Sequence, residues 1–395
     1  MNEILIEYPP GWRGNPELEK DVGEKIYYLS RLITGFSFTA QGLRLNLEAG
    51  RLDLVALKED ALELLRMLSA SYQRATHTIL AEGSGALEPA FDAFSALVSD
   101  RQIKMTLPGV PALRGDFLML LQALDRAFRE YGQGLGACEQ RYGTTLPTRS
   151  LIDSGYLQSF PQHALLVGAI HHDLDSLQAI AAEPGRFSAV NELDTLVSDH
   201  HQILAPTVCG HCFETLKEQR IDRTPLLVTA MGYCHRHEGR NHARFERLQT
   251  YSMREIVFFG DESFVRGTQE RILAHCRELM VAWNMTWRVV VASDPFFATA
   301  NAKRRSYQTA LRLKYELQAL LPEREEWIAI ASFNHHQESL VKAYGISHGD
   351  DESARLNSGC FGVGLERLCF AVFAQKGLDT ARWPLDLQRK VERLG

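Results

Sequence analysis

Apolar residues recur along this chain with two different periods, and the change of period marks its segments. Leu43, Leu45 and Leu47 alternate with Arg44 and Asn46, a period of two that predicts a strand with one buried face. Leu54, Leu57, Leu62, Leu65 and Leu68 then recur at helical spacing. Residues 1–75 therefore read as a small α+β unit. Gly83-Ser84-Gly85 and Pro108-Gly109-Val110-Pro111 are loop signals, which put a domain boundary between about 75 and 110. We expect an N-terminal α+β extension over 1–104 and a larger domain over 105–395. In the larger domain Glu255–Phe259, Trp287–Val291 and Trp327–Ile330 are short, β-branched or aromatic runs separated by helical patterns, so strands and helices are layered together. A helix is expected from about Thr268 as its N-cap, with Ile272, Leu273, Cys276, Met280 and Trp283 on a broad apolar face.

Composition narrows the classes that fit. A chain of 395 residues, 45% hydrophobic and 23% charged, can bury one large core, or one large and one small. Its net charge of −6 is unevenly spread: residues 1–100 hold 9 Lys+Arg against 15 Asp+Glu, and the remainder holds 34 against 34. Nucleic-acid binding draws on a basic surface, because phosphate neutralisation supplies much of the affinity. The acidic N-terminal region argues against it, and serves either as a solvated face or in another binding role. No apolar run approaches the roughly 20 residues that span a bilayer, and the start, Met-Asn-Glu-Ile-Leu-Ile-Glu, lacks the basic region of a signal peptide. A cytoplasmic protein without a membrane partner is expected. Seven cysteines, an odd number scattered through the chain, point to reduced thiols or metal ligands rather than a disulfide framework.

Three local patterns could carry chemistry. Cys209-Gly210-His211-Cys212 suits a redox couple, half of a four-cysteine zinc site, or part of a three-ligand site drawing distant residues together. No second Cys-x-x-Cys exists to complete a four-cysteine site. In His235-Arg236-His237-Glu238, a strand would turn Arg236 and Glu238 to one face and the histidines to the other. An arginine fork can hold a phosphate while a carboxylate two residues on accepts from an amino group, though a surface ion pair would look the same. The glycine-rich stretch Gly359 to Gly364 reads as a loop that runs into the apolar helical pattern Leu368, Phe370, Ala371, Phe373, with Arg367 early in it. Packing glycines or a phosphate site both fit this arrangement, which matches neither a Rossmann motif nor a P-loop.

Taken in order, these segments resemble the class II aminoacyl-tRNA synthetase core. Its second signature is similar to Arg236-His237-Glu238 followed by Arg247-Leu248-Gln249-Thr250-Tyr251-Ser252-Met253-Arg254-Glu255, and its third to Gly362-Val363-Gly364-Leu365-Glu366-Arg367. Ser159-Phe160-Pro161 falls where the looser first signature, the dimer-forming one, is expected. Within that superfamily the chain resembles the zinc-containing branch of atypical seryl-tRNA synthetases, and in it the amino acid:[carrier protein] ligases. Cys209, Glu255 and Cys360 stand where that branch has its metal ligands, and Ala331-Ser332-Phe333-Asn334-His335-His336-Gln337 looks like the ligases' strand before the third signature. The resemblance covers about residues 105–395. Tyr251, where Phe is common, and the histidines flanking Arg236 depart from it.

The resemblance implies an α+β fold with an antiparallel sheet flanked by helices, and homodimerisation. It implies activation of a small amino acid (glycine, alanine or serine) by ATP with Mg2+, and transfer of the aminoacyl group to the phosphopantetheine thiol of a carrier protein. Arg236, Glu238 and Arg367 would be catalytic, with Arg236 at the α-phosphate, Glu238 at the adenine amino group and Arg367 at the γ-phosphate. Arg247, Leu248, Ala331, Ser332, Phe333 and Asn334 would complete the ATP pocket. Zn2+ held by Cys209, Glu255 and Cys360 would take the substrate amino group, leaving Cys212 a spare thiol. The alternatives are a seryl-tRNA synthetase, which requires a tRNA surface, and a non-catalytic binding module.

Overall fold

The computed structural model describes residues 2–12, 14, 16–74, 78–181, 197–198, 201–237, 245–292, 311–349 and 355–392. Among them the chain divides between Thr78 and Ile79 into two compact units. The boundary thus falls inside the interval marked by the loop signals but ahead of 104/105. The reason is visible in residues 79–104: their first strand pairs into the larger unit's sheet, and Ala93 and Leu97 enter its core.

The smaller unit runs β1 (Asn2–Glu7), α1 (Pro16–Ile26), β2 (Ile33–Phe38), β3 (Gly42–Leu47) and α2 (Leu54–Arg74). Its strands form an antiparallel sheet in the order β1-β3-β2. Leu43, Leu45 and Leu47 are buried and Arg44 is exposed, as the period of two predicts. They meet Leu57, Ala61, Leu65 and Leu68 of α2 and Leu18, Val22 and Ile26 of α1 in a separate core. Gly42 is required where β3 meets β1, since a Cβ there would lie 2.2 Å from the Ile6 carbonyl oxygen.

The larger unit opens with β4 (Ile79–Gly83), α3 (Ala93–Ser99), the hairpin β5 (Ile103–Leu107) and β6 (Val110–Leu113), α4 (Gly115–Gly134) and β7 (Cys138–Glu139). A small sheet follows, made of β8 (Thr145–Pro147), β9 (Leu166–Val167) and β10 (Gln202–Leu204), with α5 (Thr148–Asp153), α6 (Tyr156–Ser159) and α7 (Leu174–Ala181) between its strands. Next come α8 (Cys209–Thr215), β11 (Arg220–Ile221), β12 (Leu226–His235), β13 (Thr250–Gly260), α9 (Glu262–Ala282) and β14 (Trp287–Val291). The described chain continues with β15 (Lys314–Leu321), β16 (Glu326–Gln337), α10 (Ser339–Ala343), β17 (Ser347–His348), β18 (Asn357–Gly364), α11 (Leu365–Lys376) and α12 (Leu385–Glu392).

Its main sheet has the order β4-β14-β15-β16-β18-β13-β12-β7. All pairs are antiparallel except β12 with β7. The fold is therefore α+β, as the resemblance implied. One sheet face packs on Phe117, Leu120 and Phe128 of α4, Ile272, Cys276 and Met280 of α9, and Leu368 and Phe373 of α11. No described helix is long and apolar enough to cross a membrane.

Two elements differ from their sequence reading. Helix α9 starts at Glu262, capped by Asp261, whose carboxylate accepts the Phe264 N–H at 2.7 Å. Thr268 lies buried inside this helix; a threonine ahead of an apolar stripe resembles a cap, yet Asp261 satisfies the orphan amides first. The glycine-rich stretch 359–364 is strand β18, not a loop. Its glycines serve close strand contact: a Cβ on Gly359 would stand 2.3 Å from the Phe258 ring and 2.7 Å from the Asn334 carbonyl oxygen.

Candidate active site

The face of the main sheet opposite α4, α9 and α11 borders a cavity of about 740 Å³. Strand alternation decides which side chains of β13 and β18 reach it. On β13, Tyr251, Met253 and Glu255 line the cavity. The residues between them turn the other way: Ser252 to Glu366, and Arg254 to Asp125 of α4. On β18, Cys360, Gly362 and Gly364 line it, while Phe361 packs in the core against Phe333 at 5.1 Å. On β16 the alternation is not kept: residues 329–337 all border the cavity except Phe333, which packs in the core.

Cys209, Glu255 and Cys360 come from α8, β13 and β18, and their ligand atoms lie within 4.8 Å of one another. Glu255 is oriented by the start of α8: its two carboxylate oxygens accept the Val208 N–H at 3.1 Å and the Cys209 N–H at 3.0 Å. The Thr229 hydroxyl donates to its main-chain carbonyl at 3.0 Å. On Cys360 Sγ converge Asn334 Nδ2 and His336 Nε2, each at 3.5 Å.

Burial pushes the Glu255 carboxyl up to about 8, and negative charge on Cys360 adds to the shift. The hydrogen bond between the two thiols raises Cys209 and lowers Cys360. Burying even one unpaired ion costs several kcal/mol, so the trio stays protonated or takes up a cation. Two sulfurs and one carboxylate oxygen form a donor set for a borderline-soft divalent ion. Tetrahedral Zn–S bonds of about 2.3 Å set two sulfurs roughly 3.8 Å apart, a spacing this cluster accommodates. Cys212 is buried behind the trio, and desolvation raises its thiol to about 12. It lies outside the cluster, which sets aside the reading of 209–212 as half of a four-cysteine site.

Two arginines stand at the cavity wall. Arg236 follows the end of β12; its Nε donates to the Pro206 carbonyl at 3.0 Å, and its guanidinium lies 5.7 Å from the Tyr251 ring centroid. The strand ends at His235, which turns away to Thr250 at 3.1 Å. Arg367, in the first turn of α11, donates to the Glu246 carbonyl at 2.7 Å and the Ala329 carbonyl at 3.3 Å. Beside it Glu366 is buried, accepting the Ser252 N–H at 2.9 Å on each oxygen and the Ser252 hydroxyl at 2.6 Å.

Of the residues singled out from sequence, Cys209, Arg236, Glu255, Ala331, Ser332, Asn334, Cys360 and Arg367 share this cavity. Arg247, Leu248 and Phe333 do not line it; Leu248 and Phe333 are core residues. Glu238 lies outside the described residues. Sequence reasoning assigned no role to His336 or Glu366. Both sit in quoted motifs, and for His336 the period of two through Ser332 and Asn334 was a usable signal.

No protein-family model matches the sequence. In fold the chain is similar to M. kandleri SerRS, solved in complex with A. aeolicus tRNASec, with a TM-score of 0.71 at 17% identity over 99% of this chain and 77% of that one. Its fold class is thus that of the class II aminoacyl-tRNA synthetases. In sequence it is 30% identical over 274 residues to amino acid–[acyl-carrier-protein] ligase 1 of Bradyrhizobium diazoefficiens, covering 69% of this chain and 81% of that protein. It is 29% identical over 252 residues to ligase 2 of the same organism, covering 62% and 72%. The chain belongs to this family of ligases and is a ligase enzyme.

Proposed function

We propose that the enzyme activates a small amino acid with ATP as an aminoacyl adenylate and passes it to the phosphopantetheine thiol of a carrier protein. The observation that carries this reading is the convergence of Arg236, Arg367 and the trio Cys209, Glu255 and Cys360 on one cavity. Adenylation needs a carboxylate placed in line with the α-phosphate and charge neutralised on the phosphoryl oxygens, with no side-chain nucleophile. Arg236, held by the Pro206 carbonyl, offers guanidinium hydrogens to the α-phosphate and the substrate carboxylate. Arg367, fixed by two carbonyls, faces the γ-phosphate. Ala331, Ser332 and Asn334, which share the cavity, are assigned to the nucleotide side, and Arg247, Leu248, Phe333 and Glu238, the last toward adenine, are assigned there by family resemblance alone. Mg2+ accompanies the triphosphate.

Cys209, Glu255 and Cys360 hold Zn2+ in this reading, and the ion supplies an open coordination position for the neutral substrate amino group. Selection of the side chain then falls to the cavity walls, which suits glycine, alanine or serine. The enzyme acts as a cytoplasmic homodimer and needs no membrane. A tRNA acceptor is the second reading, favoured by the extent of the match to the synthetase, which spans 99% of this chain. Against it stands the acidic N-terminal region, with 9 Lys+Arg against 15 Asp+Glu in residues 1–100.

Amino-acid-dependent exchange of pyrophosphate into ATP tests the activation step, and offering the activated amino acid to carrier protein and to tRNA tests the acceptor. Exchange with a small amino acid, loading of carrier protein alone, and loss of both zinc and exchange in Cys360→Ala are expected. Charging of tRNA would establish the second reading, and a wild-type protein that exchanges fully without zinc would refute the metal assignment.

A further inference from the structure

Two side chains of β16 converge on Cys360. Asn334 Nδ2 lies 3.5 Å from its Sγ and 3.3 Å from Ser332 Oγ. An amide nitrogen has only hydrogens to offer, so both contacts run outward from Asn334. His336 Nε2 also lies 3.5 Å from Sγ, and its Nδ1 is 3.4 Å from Ser358 Oγ. When the Ser358 hydroxyl donates to Nδ1, the ring proton sits on Nε2 and points at the sulfur. Strand register supports the convergence, because Asn334 and Cys360 are direct cross-strand partners. The Phe213 ring meets His336 edge-on at 5.8 Å and 67°, closing one side of the imidazole.

We propose that His336 and Asn334 are outer-sphere donors to the Cys360 thiolate, and that they position this ligand and set how tightly the three-ligand site holds its metal. The inference rests on the zinc reading above. Hydrogen bonds from two N–H groups spread the charge of one thiolate and fix the direction of its lone pairs. In zinc sites such outer-sphere partners are worth about 10–100-fold in metal affinity. The two residues are positioning residues, since they act through Cys360.

The test uses the full-length, zinc-loaded protein in competition with a chromophoric chelator, and the Co2+-substituted protein for its sulfur-to-cobalt charge-transfer band. Wild type is compared with His336→Ala, His336→Gln and Asn334→Ala. We expect His336→Ala to bind zinc about 10–100-fold more weakly and to shift the cobalt band, with Asn334→Ala moving both the same way. His336→Gln, whose amide can still donate to sulfur, should recover most of the affinity; loss of packing alone would not give that recovery. Affinities within about twofold of wild type and unmoved bands in both alanine variants would overturn the proposal while leaving the zinc reading intact. A loss in His336→Ala that glutamine does not recover, with Asn334→Ala unchanged, would also overturn it. If His336→Ala does not fold, His336→Gln and Asn334→Ala decide alone. A folded wild type that takes up neither zinc nor cobalt would overturn the metal reading itself.

Discussion

Glu366 shows how a single carboxylate can order a site it does not enter. It grips Ser252 through both the main-chain N–H and the hydroxyl, tying the start of α11 to β13. Arg367 follows it in sequence and Tyr251 precedes Ser252, so the grip sets the spacing of two cavity residues. Burial pushes Glu366 up to about 7, while the Ser252 donors work in the opposite direction. Glu366→Gln keeps the shape but turns an NH2 group toward these donors. Leaving buried polar groups unmatched costs about 1–3 kcal/mol. Urea denaturation should show a loss of that size, with weaker ATP-dependent exchange. An unchanged midpoint would mean the contact contributes nothing. His335, in contrast, is held neutral: burial lowers it from 6.5 to about 4, and Arg266 adds to the shift. The unfolded chain takes up this proton near 6.5 and the folded one does not, so the contribution is present above pH 6.5 and lost as pH falls toward 4. Between pH 7 and 5 the Tm of wild type should therefore fall further than that of His335→Asn, and parallel curves would refute the assignment.

At the scale of elements, β18 carries the strictest steric demand in the site. Gly359 faces the Phe258 ring and the Asn334 carbonyl oxygen at distances no Cβ tolerates, and Gly362 lies against Met253 and Glu255. Gly359→Ala must push β18 away from β13 or β16, and Cys360 moves with it. The expected result is a stability loss of about 1–3 kcal/mol from overpacking, together with reduced zinc content measured on the purified variant. Zinc content equal to that of a zinc-binding wild type would show that the strand absorbs the strain without moving the proposed ligand Cys360. The same strand marks where sequence reading reached its limit. The layering of strands with helices was legible because Glu255–Phe259, Trp287–Val291 and Trp327–Ile330 are β-branched or aromatic runs too short for helices, and they lie within β13, β14 and β16, whereas the antiparallel α+β arrangement was implied by the family resemblance. Gly359 to Gly364 reads as a loop because glycine lowers strand propensity, and only the neighbouring Phe258 and Asn334 reveal a need for close approach. The proposed metal-binding trio was visible through family resemblance alone, since its members are separated by up to 151 positions in sequence. The donors on Cys360 depend on strand register, which no local pattern encodes.

For the whole molecule the position of the domain boundary is open to a direct test. Residues 79–104 lie in the larger unit: β4 pairs with β14, placing Gly83 opposite Trp287, and the Glu88 N–H donates to the Gln375 carbonyl at 2.9 Å. The Gln102 side chain accepts the Phe117 N–H at 2.8 Å near the start of α4. Glu82, Glu88, Asp92 and Asp100 belong to this segment, so the acidic excess of the first hundred residues is not a property of the smaller unit alone. Two truncations separate the alternatives. A chain starting at Thr78 keeps β4, α3 and the buried Leu97 and Ile103, and its core is complete. A chain starting at 105 loses both of those side chains, each worth about 1.5–3 kcal/mol on burial, and leaves β14 without its edge partner. Domains of this size have only about 5–15 kcal/mol of stability to draw on. The longer truncation should therefore lose its cooperative melt, whereas the shorter one should melt cooperatively and keep the metal uptake and amino-acid activation proposed above. Comparable melts would place the boundary at 104/105 after all. A shorter truncation that still exchanges pyrophosphate but no longer loads carrier protein would assign acceptor recognition to the first 77 residues.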